Sequence, residues 1–157
     1  MKPEQLFKKN VKNNLRNSNL GIHVIDMSNI GNEPGCPDLH ISKDNVFLLA
    51  ELKSVSTLYS DKKMRDLFTD AQPAFYTKYL ENNDNLFLII EDRDENLFSL
   101  CQMSFYILYE IFENNFTVRQ YNFFALNTGI SVRGFGEIKN LPAAMHKILA
   151  GINNESA

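Results

Sequence analysis

The sequence predicts an α/β protein with a central mixed β-sheet flanked by helices. Two observations predict it. Short apolar runs rich in β-branched residues are interspersed with stretches of helical spacing along all 157 residues. One run, "VFLLAELKSV" (46–55), is apolar enough to be a central strand rather than an edge.

The elements follow in order. Residues 3–17 read as a helix: Pro3 suits a first turn, and Leu6, Phe7, Val11 and Leu15 recur at near-helical spacing. "GIHVIDM" (21–27) reads as a strand, "NIGNEPGCP" as a loop and "DLHI" as a short strand. "SKDN" is a turn joining that strand to 46–55. Residues 56–68 are polar and mixed, a loop or short helix. "TDAQPAFYTKYLENN" reads as a helix capped by Thr69, with Pro73 in its first turn. "NLFLII" (85–90) and "LFSLCQM" are strands around the charged turn "EDRDEN". "SFYILYEIFENN" reads as a helix, "FTVRQYNFFAL" as a strand and "PAAMHKILAGI" as a closing helix.

Length fits a single domain over 1–157 with a real core. Hydrophobic residues make up 44% and charged residues 22%, an ordinary globular balance. No apolar run reaches the roughly 18–20 residues of a membrane span. The N-terminus lacks the apolar core of a secretory signal, so an intracellular, cytoplasmic location is expected. Cys36 and Cys101 then predict neither a disulfide nor a zinc site. The net charge of −3 argues against a polycation that coats nucleic acid, but not against local basic surface. Lys8, Lys9 and Lys12 form one such cluster, and Lys62 and Lys63 another.

The chemistry lies in "GCPDL" and "AELKSV". On a strand, Glu51 and Lys53 point to one face while Ala50 and Leu52 point to the other. In a central strand such a pair is costly unless partnered. A hairpin closed by "SKDN" sets its start opposite its end, so Asp38 falls near Glu51. Two close carboxylates repel unless a cation separates them, and Mg²⁺ is commonly held by one or two carboxylates plus waters and phosphate oxygens. The Leu52 carbonyl is a further ligand. Lys53 is placed to orient a water or to neutralise charge on a phosphate. Together these groups suit metal-assisted phosphodiester hydrolysis. His40 shares the face of Asp38, so it lines the site or is an ordinary strand histidine.

"PD" at 37–38, "ELK" at 51–53 and the thirteen positions from Asp38 to Glu51 resemble the PD-(D/E)XK nuclease superfamily. The arrangement is most similar to its Holliday-junction-resolvase-like and VRR-NUC-like branches. "SVRGFGE" (131–137) is a faint echo of the Val-Arg-Arg signature. The likeness covers about residues 4–91 and leaves the C-terminal third unassigned. It implies a restriction-endonuclease-like sandwich, with Asp38 and Glu51 as metal ligands for Mg²⁺ or Mn²⁺ and Lys53 as the catalytic lysine. Glu4 on the first helix matches an additional acidic ligand, and Gln72 a glutamine that assists at the water or phosphate. Gln72 also fits a Thr69-x-x-Gln72 capping box. The expected activity is a structure-selective or weakly sequence-selective DNA endonuclease, acting as a homodimer. The alternative is a nuclease-like fold that binds nucleic acid, or an accessory subunit docking through its C-terminal third, without cutting.

Overall fold

The computed structural model describes residues 1–29, 33–57, 60–122 and 132–156. Its six strands are β1 (His23–Asp26), β2 (Leu39–Lys43), β3 (Val46–Val55), β4 (Leu86–Asp92), β5 (Leu97–Gln102) and β6 (Val132–Glu137). They form one mixed sheet in the order β1-β2-β3-β4-β5-β6. Helices flank it, among them α1 (Pro3–Arg16), α2 (Ala71–Leu80), α3 (Phe105–Phe112) and α4 (Leu141–Ser156). The expected α/β class, with a mixed sheet between helices, is what the chain forms. No helix among the described residues is long and apolar enough to cross a membrane.

Helices cover both sheet faces. Phe7, Val11 and Leu15 recur every four residues along α1, so one stripe of that helix is buried. They join Leu141, Met145, Ile148 and Leu149 of α4 on one face, against Leu48, Ala50 and Leu52 of β3. Tyr76 and Leu80 of α2 and Ile107, Leu108 and Ile111 of α3 cover the other face, against Leu49 and Val55. Side-chain alternation on β3 therefore divides the strand between two cores, as the sequence predicts.

Neighbouring strands are antiparallel except β3 and β4, which run parallel. A parallel pair needs a crossover, and α2 lies between the two in sequence. The β2–β3 hairpin is closed by Asp44 and Asn45, with φ of 53° and 67° between the paired Lys43 and Val46. Two left-handed residues make a type I′ turn, whose twist matches the strands it joins. This turn fixes the register Leu39↔Ala50.

One expectation fails in the C-terminal third, and one strand there was not foreseen. "FTVRQYNFFAL" is not a strand: Val118–Asn122 are helical, and residues 123–126 lie outside the described residues. The Gln120 side chain accepts from the Thr117 N–H at 2.9 Å, and the Thr117 hydroxyl accepts from the Gln120 N–H at 3.1 Å. That reciprocal capping box starts a helix and outweighs the β-branched and aromatic content around it. The sixth strand is instead β6, in the stretch read only as an echo of a signature. Gly134 and Gly136 lower its strand propensity. Pairing with β5 makes it a strand all the same.

Candidate metal centre

The hairpin brings Asp38 to the end of β2, beside the middle of β3. Its Oδ2 accepts a hydrogen bond from the Leu52 N–H at 2.9 Å. Had the pairing continued, the Leu39↔Ala50 register would set residue 37 opposite Leu52. Residue 37 is Pro37, which has no N–H to offer the Leu52 carbonyl. The ladder stops there, and the two Leu52 backbone groups face the Asp38 side instead. Beyond Ala50, β3 is no longer paired to β2, and Glu4 from the first turn of α1 reaches into that opening.

Carboxylate oxygens of Glu4, Asp38 and Glu51 lie within 4.8 Å of one another. Glu51 is 3% exposed. Its Oε1 accepts from the Gln72 side-chain amide at 3.0 Å and lies 3.4 Å from the Lys53 ammonium. Its Oε2 is buried without a hydrogen-bond partner among the described residues. Burial pushes the Glu51 carboxyl well above the usual range, and the nearby Asp38 charge adds to this. Burial likewise raises Glu4, against the pull of Lys53. Three carboxylates this close, one of them with a buried oxygen left unpartnered among the described residues, suit a hard divalent cation, which takes oxygen ligands and removes their repulsion.

Lys53 is as buried as Glu51. Its ammonium lies 3.5 Å from Glu4 Oε1 and donates to Gln72 Oε1 at 3.3 Å. It also sits 4.8 Å from the centroid of the Phe68 ring, a cation–π contact. These neighbours compensate a charge that burial alone would make costly.

Gln72 serves the site reading and half of the capping box: the helix is preceded by Asp70 rather than capped by Thr69, and the Gln72 N–H meets the Thr69 carbonyl at 3.2 Å instead of its hydroxyl. Its Oε1 accepts from the Thr69 N–H at 2.9 Å, the helix-start role, and also from Lys53, while its amide nitrogen donates to Glu51. Its amide orientation follows from those partners. Gly35 holds this helix start in place. Its φ is +86°, and a Cβ built there would stand 2.3 Å from the Ala71 carbonyl oxygen. Only glycine allows the loop before Asp38 to approach the α2 backbone so closely.

The predicted basic residues separate. Lys8 lies at the cluster, 3.9 Å from Asp38 and 3.0 Å from Asp26, and Lys12 pairs with Asp26 at 2.9 Å. Burial disfavours the Asp26 charge, but hydrogen bonds from Ser28, Lys12 and Lys8 hold its carboxyl well below the usual range. Lys9, Lys62 and Lys63 are exposed and make no ion pair among the described residues. His40 stacks on Phe47, with ring centroids 4.7 Å apart.

Sequence reasoning missed Tyr76, Phe68 and Asp26. Tyr76 is buried, and its hydroxyl stands near Glu51 without meeting a partner at hydrogen-bonding geometry. A position four residues after Gln72 shares its helix face, and that spacing was the available signal. Nothing in the spacing marks Phe68 or Asp26. Cys36 is half-buried, and burial together with Glu51 and Asp38 pushes its thiol up.

The chain was compared with models of protein families, with curated proteins and with solved structures, and it matches none of them.

Proposed function

We propose that the chain is a divalent-cation-dependent endonuclease that hydrolyses phosphodiester bonds in DNA. One observation carries the reading: the carboxylates of Glu4, Asp38 and Glu51 converge, Glu51 keeps one buried oxygen without a partner among the described residues, and Lys53 lies beside them. Glu4, Asp38, Glu51 and the Leu52 carbonyl would hold Mg²⁺ or Mn²⁺. When bound, the cation supplies Lewis-acid polarisation of a phosphoryl oxygen and a more acidic water.

The chain's own residues do the rest. Glu51 and Gln72 hold the Lys53 ammonium at the cluster, where it stabilises negative charge building on the reacting phosphate. Gln72 fixes Glu51 and Lys53 relative to each other, because its amide contacts both. Phe68 shields the lysine from water on one side. The nearby PD and ELK motifs support the nuclease reading. Cutting is structure-selective or weakly sequence-selective, and one site per chain calls for two chains to cut two strands.

The deciding experiment is cleavage of labelled single-stranded, duplex, flap and four-way-junction DNA with Mg²⁺ or Mn²⁺. Wild type is expected to cut, and Asp38→Ala and Lys53→Ala are not. DNA binding by folded wild type without any cutting would replace this reading with a non-catalytic nucleic-acid-binding one. Light scattering with DNA tests the dimer, and a mass of one chain at micromolar concentration would refute it.

A further inference from the structure

Helix α1 carries Glu4, Lys8, Lys12 and Arg16 at intervals of four residues. Such positions form one stripe, each about 6 Å further along the axis at 1.5 Å rise per residue. The stripe begins at the acidic cluster, where Glu4 meets Lys53 and Lys8 lies 3.9 Å from Asp38. It then follows β1, the edge strand of the sheet. Lys8 and Lys12 share Asp26, and Arg16 donates to the Val24 carbonyl at 3.0 Å.

A structural tether between α1 and β1 needs one cation for one carboxylate. Two lysines share the Asp26 carboxylate, and Arg16 one turn further meets a backbone carbonyl rather than an acid, so cations outnumber carboxylates along this stretch of a chain whose net charge is −3. Their side chains are also not sealed: Lys8 is 18% and Lys12 23% exposed, and Arg16 is exposed. Val24 takes one of the five donors of a guanidinium, whose planar fork suits phosphate. A nucleic-acid strand presents anions repeated along its backbone, which matches a row of cations that starts at the reacting centre and winds gently along one side of the helix.

We infer that Lys8, Lys12 and Arg16 form the track for the phosphodiester backbone of the strand being cut, leading it away from the acidic cluster along the β1 edge. The inference rests on the nuclease reading and adds a direction to it. Asp26 then positions the two lysines and tempers their charge. Lys9, next in sequence but off the stripe, lies outside the track.

The test is fluorescence-anisotropy binding of short labelled single-stranded DNA, and of RNA of the same sequence, in Ca²⁺ over a range of salt. Lys12→Gln and Arg16→Gln are each expected to lower the slope of log affinity against log salt by about one. Lys9→Gln is expected to lower it less. Asp26→Asn is expected to tighten binding, since it removes the negative charge between the cations, and it stays informative should a lysine variant fold poorly. Unchanged slopes in both Lys12→Gln and Arg16→Gln, or an equal fall in Lys9→Gln, would overturn the track. If Asp38→Ala abolishes cutting while those slopes stay at the wild-type value, the nuclease reading survives and the track alone falls. If wild type binds neither DNA nor RNA, both fall. A preference between the two polymers names the strand.

Discussion

The two faces of β3 make different proteins out of one strand. Leu48, Ala50 and Leu52 face α1 and α4 in an unbroken apolar core. One position along, Leu49, Glu51, Lys53 and Val55 face α2, where two charges, an amide and a tyrosine interrupt the hydrocarbon. The first face is complementary to itself in the absence of any ligand. The second is left incomplete among the described residues: Glu51 Oε2 has no hydrogen-bond partner there, and burial holds the carboxyl above its usual range. Stability and chemistry are thus separated by a single residue of register.

The sharpest way to break this contrast is to exchange the expected losses. On the apolar face, Leu48→Ala should cost about 2–5 kcal/mol of stability, read by denaturant unfolding, with cation affinity preserved in the folded fraction. On the polar face, Lys53→Met should lower cleavage by about 10²–10³-fold. Its melting temperature should change little in the cation-free protein, because the Glu51 carboxyl, already raised by burial, can take up a proton when the ammonium is lost. A large stability loss in Lys53→Met would show that the ion pair, not the cation, organises this face.

Smaller effects sharpen the boundary between the faces. Gly35→Ala should cost about 1–3 kcal/mol and reduce cation affinity, since the loop must retreat from Ala71 and carry Asp38 with it. Asp38→Asn should raise the stability of the cation-free protein by about 0.5–2 kcal/mol while abolishing cation binding, measured by thermal melts and isothermal titration calorimetry. Unaltered stability would mean that the carboxylates do not strain one another.

The pH dependence has a definite sign. Glu51 is raised in the folded chain above its ordinary value of 4.5, so its contribution to stability is complete below that value and is lost as pH rises through the folded value. In chelator, the melting temperature should therefore fall with rising pH above the ordinary glutamate range. Added Mg²⁺ should flatten that fall. A fall of the same steepness in Glu51→Gln would assign it to other groups.

Much of the site was legible because it is local. Alternation on β3 gave the shared face of Glu51 and Lys53, and the "SKDN" turn set Asp38 against Glu51. What escaped depends on packing between distant segments. Phe68 meets Lys53 only after the 60–70 segment folds over β3, and Asp26 meets Lys8 only because α1 lies along β1. Distal strand β6 escaped for another reason. Its glycines suppress local propensity, and pairing with β5 decides its state. The Thr117–Gln120 cap was readable in principle but was overshadowed by the aromatic run that follows it.

Pro37 and the Asp44–Asn45 turn together make the hairpin a ruler. The turn is its zero, and pairing counts outward to Leu39 and Ala50, where the proline stops it. The place of Asp38 is thus a matter of counting residues from the turn, and the Leu52 N–H meets its carboxylate where that count puts it. One residue added between Lys43 and Val46 would carry Asp38 through the plane of the sheet into the apolar core, with every side chain of the site still present in the sequence.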